Sequence, residues 1–505
     1  MSSFKVSAGR LPGPAAFKSF LAASALALSL GGVGESRASA PAEPAATQDV
    51  TAGAQGPAVT SYAGVVKRVA PAVVTINAQR RASARQESPF GDNPLLEEFF
   101  GRRERQQPRR PRPERRATAL GSGVIVSADG YILTNHHVVE GAEQIKVELN
   151  DGRTLDAQVV GSDEPSDLAV LKVKGGNLPT LRLGDSDKVE VGDVVLAVGN
   201  PLGIGQTVTT GIISAKGRQT GAGDGSFEDF LQTDAPINQG NSGGALVNTS
   251  GELIGINSQI LSRSGGSIGI GFAIPSNMAG DVMGQLVRSG EVRRGQLGVV
   301  VQKVTSDMAD SLGLGGARGV IVSQVQPGSA AERAGLRRGD VITALNGAAV
   351  NDPNAFRNRV AGVQPGTEAR LDLVREGRET QARAVLGEFK FEKARAEVED
   401  EPAQAPAKGD TGKLGLGVEP VTPQASGRFG LPAATRGLVV TQVDADGPAA
   451  DAGLERGDVI VEVNQRAVGT AAELKAAVER TGSRPALLLV NRRGSDVYMT
   501  VTPRQ

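Results

Sequence analysis

Two stretches of the chain repeat each other at a fixed spacing of 118 residues, and this repeat constrains the fold more than any other feature. Gly319-Val320-Ile321-Val322-Ser323-Gln324-Val325 aligns with Gly437-Leu438-Val439-Val440-Thr441-Gln442-Val443. The same offset pairs Ala334-Gly335-Leu336-Arg337-Arg338-Gly339-Asp340-Val341-Ile342 with Ala452-Gly453-Leu454-Glu455-Arg456-Gly457-Asp458-Val459-Ile460. One offset shared by both stretches marks a duplicated unit. Each copy reads as a strand, a short Ala-rich helix closed by Gly335 or Gly453, a turn and a second strand. The C-terminal part is therefore two small modules of one kind, over residues 291–390 and 412–505.

A chain of 505 residues has room for roughly three domains. Residues 119–290 supply the third. Short Val/Ile-rich runs at 123–126, 131–134, 144–149, 193–198, 206–214 and 252–257 alternate with Gly, Asn and Asp, the pattern of an antiparallel barrel or sandwich. No helical pattern of 10–15 residues alternates with them, which argues against a parallel α/β sheet. With no Trp, 3 Tyr and 13 Phe, the cores must be built from Val, Leu, Ile and Ala.

Three segments read as linkers. Residues 41–60 are rich in Ala, Pro, Thr and Gly, and residues 391–411 are charged and contain Pro402 and Pro406. Residues 79–118 carry eleven Arg against six acidic residues, and the Arg/Pro-dense part, 102–116, has too little apolar surface to order itself. Phe99 and Phe100 end an apolar island within that segment, which points to docking. Lys5, Arg10 and Lys18, an apolar run from Phe20 to Leu30 and then Ala38-Ser39-Ala40 read as an export signal over residues 1–40. The run is too short to span a bilayer, which takes about 20 residues. Pro41 sits awkwardly for cleavage after Ala40.

Absences narrow the chemistry. The chain has no Cys, which removes disulfides, thiolate nucleophiles and Cys-ligated metal sites. It has two His, the adjacent His136 and His137, and neighbours on a strand face opposite ways, so one imidazole at most can serve a site. The 55 Lys+Arg equal the 55 Asp+Glu, which argues against a nucleic-acid partner.

What remains is a nucleophile set. Ser242 lies in Gly240-Asn241-Ser242-Gly243-Gly244, and Asp167 in Ser166-Asp167-Leu168-Ala169. A serine hydroxyl attacks well only when a base takes its proton, and a carboxylate can fix the tautomer of an imidazole base. The surrounding glycines would let backbone N–H groups turn toward an oxyanion. Gly-x-Ser-x-Gly alone also fits an α/β-hydrolase elbow, but there the histidine comes last. Here both histidines precede Ser242, and the order His, Asp, Ser fits a chymotrypsin-type double barrel. Spacing alone does not choose between His136 and His137.

The duplicated modules resemble PDZ domains, whose strand–helix–Gly-Leu-x-x-Gly-Asp-x-Ile core they reproduce. Gly295-Gln296-Leu297-Gly298-Val299 and Gly415-Leu416-Gly417-Val418 look like that family's carboxylate-binding loop. Such a loop would take a C-terminal carboxylate on backbone N–H groups and the peptide along the next strand. The body resembles the protease domain of the HtrA (Deg/Do-like) serine endoproteases. The likeness rests on Leu120-Gly121-Ser122-Gly123-Val124-Ile125, Thr134-Asn135-His136-His137-Val138, the Asp167 and Ser242 motifs, and Gly269-Ile270-Gly271-Phe272-Ala273-Ile274-Pro275.

That resemblance implies a mainly β chain: a chymotrypsin-like double-β-barrel protease domain over residues 61–290, then two PDZ domains. It selects His137 as base beside Asp167 and Ser242, and takes the oxyanion donors as the backbone N–H groups of Gly240 and Ser242, with Asn241 as a further candidate. It places Ile237 and Ile260 at the primary specificity pocket, suited to Val or Ala. It implies ATP-independent cleavage of unfolded or damaged polypeptides in the periplasm, gated by hydrophobic C-terminal peptides at the PDZ loops. It implies no cofactor, a homotrimer or larger homo-oligomer, no nucleic acid and at most transient proximity to a membrane. The competing expectation is a peptide-binding chaperone or scaffold whose protease body is mostly inactive.

Overall fold

A computed structural model of the chain describes residues 61–80, 117–200, 205–220, 226–238, 240–261, 266–390, 412–432, 435–482 and 484–504. The expected export signal, the 41–60 leader, the 391–411 linker and Phe99 and Phe100 lie outside these residues.

The body forms two closed antiparallel barrels of six strands each. The first consists of β1 (Val73–Arg80), β2 (Ala117–Ile125), β3 (Tyr131–Thr134), β4 (Ala142–Glu148), β5 (Thr154–Asp163) and β6 (Leu168–Val173). The second consists of β7 (Val194–Gly199), β8 (Thr207–Arg218), β9 (Phe230–Thr233), β10 (Ala245–Asn248), β11 (Leu253–Ile260) and β12 (Gly271–Pro275). As the composition requires, the barrel cores are almost wholly aliphatic: Val74, Ile76, Ile125, Ile132 and Leu171 fill one, Val195, Leu231, Leu246 and Ile254 the other. Closing each sheet on itself removes the exposed strand edges that an open sheet would carry.

Two details differ from the sequence reading. Residues 79–80 and 117–118 were expected in the Arg-rich loop, yet they pair as strand, with Gln79 opposite Thr118 and Arg80 opposite Ala117. Backbone hydrogen bonding extends the hairpin into polar sequence because its register is already set by the buried residues below. The second concerns the histidines: His136 and His137 lie on one turn of helix, His136–Val139, rather than on a strand. Strand alternation therefore does not separate the two imidazoles. A 14-residue helix, Ser276–Ser289, ends the body, packing Ala279, Val282 and Leu286 onto the barrels and closing at Gly290 with φ 77°. It follows the strands and does not alternate with them.

The 118-residue offset extends beyond the stretches that revealed it. Strand Val320–Val325 matches Leu438–Val443, helix Ala330–Arg333 matches Pro448–Asp451, and strand Val341–Leu345 matches Val459–Val463. The Gly-Asp motif has a physical reason. Asp340, 1% exposed, accepts the Arg337 N–H and a bidentate pair from Arg375, with both contacts at 2.7 Å. Asp458 does the same with the Glu455 N–H and Arg492. A buried carboxylate needs such partners, and each is supplied within its own module. The two modules also share an apolar seam, in which Met308, Ile321, Val341 and Val374 of the first meet Leu487, Leu489 and Tyr498 of the second.

The first module docks on the body through a buried ion pair. Arg294 donates to both carboxylate oxygens of Asp163, at 2.7 and 2.5 Å, and the two side chains are 9% and 6% exposed. The Arg294 guanidinium also stacks 4.7 Å from the Phe227 ring, which meets Phe389 edge-on. Removing one member of a buried pair strands the other charge, at a cost of about 3–5 kcal/mol. Arg294→Ala should therefore lower the urea midpoint of the body's unfolding, and Asp163→Asn made in the same chain should recover part of the loss.

Candidate active site

The turn that carries Asp167 is built from its neighbours. Asp163 ends β5 and caps a short 3₁₀ turn, Glu164–Ser166, accepting the Ser166 N–H at 3.1 Å and the Ser166 hydroxyl. Asp167 follows with φ 52°, a left-handed conformation that Asp tolerates better than most residues. That bend lifts its carboxylate toward the His136–Val139 helix.

The expected base sits there. His137 Nδ1 lies 2.9 and 3.0 Å from the two Asp167 oxygens, and the His137 backbone N–H donates to the same carboxylate at 3.1 Å. With Nδ1 committed to Asp167, Nε2 is left as the proton acceptor. Asn135 locks the pair from behind, its Nδ2 donating 2.9 Å to the Asp167 carbonyl. Burial works to raise the Asp167 carboxyl, but the charge and hydrogen bonds of His137 and the Ser258 hydroxyl outweigh it, and the group is held below the ordinary aspartate range.

Ser242 lies on the loop entering β10, 2% exposed, with its hydroxyl donating to the Ser258 carbonyl at 2.8 Å. The Ser258 hydroxyl in turn donates to Asp167 Oδ2 at 2.8 Å. Ser258 thus touches Ser242 and Asp167 at once, and it joins residues of the two barrels. Nothing in the sequence singled it out, since it lies on an ordinary apolar strand with no flanking glycine motif.

The loop before Ser242 is a tight turn in which the Asn241 N–H donates to the Asn238 carbonyl at 2.9 Å and Gly240 takes φ 97°. Among the described residues, the N–H groups of Gly240 and Ser242 find no acceptor, whereas the Asn241 N–H, the further oxyanion candidate, is used in closing the turn. At Gly243, φ 81°, a Cβ would lie 2.1 Å from the Ser122 carbonyl oxygen, so only glycine fits.

The expected pocket residues Ile237 and Ile260 are 1% and 6% exposed and pack together in the second barrel's apolar cluster. A Cβ at Gly271 would meet Ile237 Cδ1 at 2.9 Å, so that space is filled.

In the first module residues 296–299 form a turn between two strands. Gln296 ends a short strand, the buried Leu297 gives its carbonyl to the Ala331 N–H, Gly298 turns at φ 80° and gives its carbonyl to the Gln326 N–H, and Val299 starts the next strand. The second module needs a correction. The equivalent bonds run from Ala449 to Leu414 and from Asp444 to Gly415, whose φ is 71°. Leu416, Gly417 and Val418 belong to strand Leu416–Pro420, pairing with Val443, Gln442 and Val440. The turn is therefore centred on Leu414 and Gly415. The second glycine of Gly415-Leu416-Gly417 drew the sequence reading too far along the chain.

With this geometry established, the comparisons with known proteins are direct. Residues 121–256 match the trypsin-like peptidase domain family, and residues 268–386 and 439–492 match PDZ domain families. The chain is 39% identical to the periplasmic serine endoprotease DegP of Escherichia coli K12 over 506 residues, covering 95% of this chain and 99% of that one. The chain belongs to the HtrA family of periplasmic serine endoproteases. The family likeness extends to the periplasmic pH-dependent serine endoprotease DegQ of the same bacterium, 41% identical over 443 residues, with 87% of this chain and 90% of that one covered. Among solved structures, the HtrA-type protease AlgW with a decapeptide is similar at 45% identity and a TM-score of 0.52, over 65% of this chain and 99% of that one. As an HtrA-family member the chain is a serine endopeptidase, and peptides or proteins are its substrates.

Proposed function

We propose that this protease cleaves unfolded or damaged polypeptides by acyl transfer, and that peptides bound by its PDZ modules set its rate. The observation that carries the reading is the contact of His137 Nδ1 with Asp167 at 2.9 Å, which leaves Nε2 to accept a proton once the Ser242 hydroxyl turns from the Ser258 carbonyl, to which it donates at 2.8 Å. In the first half-reaction, Ser242 Oγ bonds to the scissile carbonyl carbon while His137 Nε2 takes its proton. The N–H groups of Gly240 and Ser242 stabilise the oxyanion. The C–N bond breaks as His137 returns the proton to the departing amine. Water then repeats the sequence on the acyl-enzyme and frees Ser242.

Regulation has a route. Asn354 and Asn358, on the first module's helix Pro353–Gly362, donate to the Glu228 carbonyl at 2.6 and 2.9 Å. The adjacent Phe227 donates its N–H to Pro165, within the turn that carries Asp167. A peptide laid between Val299 and that helix would press on this path. By family resemblance the working form is an exported homotrimer or larger assembly.

One experiment tests both claims. A fluorophosphonate should label the full chain stoichiometrically, with the added mass on the Ser242 peptide, and a C-terminal hydrophobic peptide should accelerate labelling severalfold. Labelling elsewhere, or none, would overturn the mechanism. A rate indifferent to the peptide would leave the mechanism standing and remove the gating.

A further inference from the structure

Ser122 lies in β2 with none of its surface exposed, and two of its polar contacts reach the Gly240–Ser242 turn. Its N–H donates to the Ser242 carbonyl at 2.8 Å. Its hydroxyl donates to the Gly240 carbonyl at 2.6 Å and accepts the Asn200 N–H at 2.9 Å. Its own carbonyl accepts the Thr134 hydroxyl at 2.7 Å, which ties it to the strand leading to His137.

The Gly240 carbonyl and the Asn241 N–H belong to one peptide plane. Ser122 holds one end of that plane and the Asn238 carbonyl holds the other, at 2.9 Å. The next plane is also tied, since the Asn241 carbonyl accepts the Gly244 N–H at 2.9 Å. Such restraints are needed here. Glycine has no Cβ to resist rotation, so the residue that permits φ 97° equally permits the turn to flip. The Gly240–Asn241 plane joins the two planes that carry the Gly240 and Ser242 N–H groups, so pinning it fixes their mutual orientation and freeing it lets the two N–H groups diverge.

We infer that Ser122 is a positioning residue whose hydroxyl locks the Gly240–Asn241 peptide plane and so keeps both oxyanion donors aimed. The inference rests on the serine-protease mechanism proposed above. A missing oxyanion donor costs about 10²–10³ in rate, and a donor that is loosened but still present should cost less. In the full chain, Ser122→Ala is expected to lower kcat on a peptide p-nitroanilide cleaved after Val by about 10- to 100-fold, with KM within about twofold. Affinity for the matching peptide boronate, which forms a tetrahedral adduct, should fall by the same factor. The final extent of fluorophosphonate labelling should stay complete, which a merely structural loss of active molecules would not allow.

A kcat within twofold of wild type would overturn the inference, as would a fall matched by lost labelling. If Ser122→Ala does not fold, Thr134→Val loosens Ser122 from its carbonyl side and should give the same pattern more weakly. An unchanged kcat in folded Thr134→Val would then count against it. Ser242→Ala run alongside separates the two layers: cleavage surviving that change overturns the mechanism itself, whatever Ser122 does.

Discussion

Ser242→Ala is expected to reduce kcat on unfolded casein by about 10⁵- to 10⁶-fold while leaving the melting temperature within a few degrees of wild type. The size follows from the covalent route. Without Oγ no acyl-enzyme forms, and what remains is binding and the oxyanion donors, which by themselves give about 10³–10⁴ over water. The fold should hold because the lost hydroxyl makes one hydrogen bond, to the Ser258 carbonyl, and a typical bond of that kind contributes about 1 kcal/mol net. Casein gel assays and differential scanning calorimetry on the same preparation check both halves. Cleavage within tenfold of wild type would mean that another nucleophile does the work.

Asp167→Asn should cost about 10⁴ in kcat with little change in KM. The amide can offer an N–H to Nδ1, which favours the tautomer with its proton on Nε2, the nitrogen that must accept from Ser242. The imidazolium formed during attack also loses its counter-charge. The same substitution has a signature in acid. Because the Asp167 carboxyl is held below its unfolded value, its ionisation contributes stability above that value, about pH 4, and loses it as pH falls through the folded value. Wild type should therefore lose stability on acidification more steeply than Asp167→Asn. Melts between pH 3 and pH 6 read the difference, and parallel curves would contradict the assigned charge state.

The proposed triad was legible in the sequence because that chemistry imposes an order along the chain. The histidine pair preceded Asp167, and Asp167 preceded Ser242 in its Gly-Asn-Ser-Gly-Gly motif. The repeat likewise exposed the modules, because a buried Asp340 or Asp458 requires its glycine and its turn N–H at fixed spacing, with an arginine from a later strand. Ser258, Asn135 and Thr134 were invisible as functional residues. Each works through a partner distant in sequence, Asp167 or Ser122, and a strand serine looks the same whether it faces a carboxylate or a core. Asn241 and Gly417 misled for the opposite reason. Glycine-rich stretches show that a turn exists, but hydrogen bonds decide which residue bends and which N–H is left over.

The seam between the two C-terminal modules limits how this gene can change. Met308, Ile321, Val341 and Val374 form one buried cluster with Leu487, Leu489 and Tyr498 of the second module. A chain shortened to a single PDZ module would present that apolar face to solvent and tend to aggregate. Shedding the second module in evolution therefore demands polar substitutions in the first, so the duplication is easier to keep than to undo.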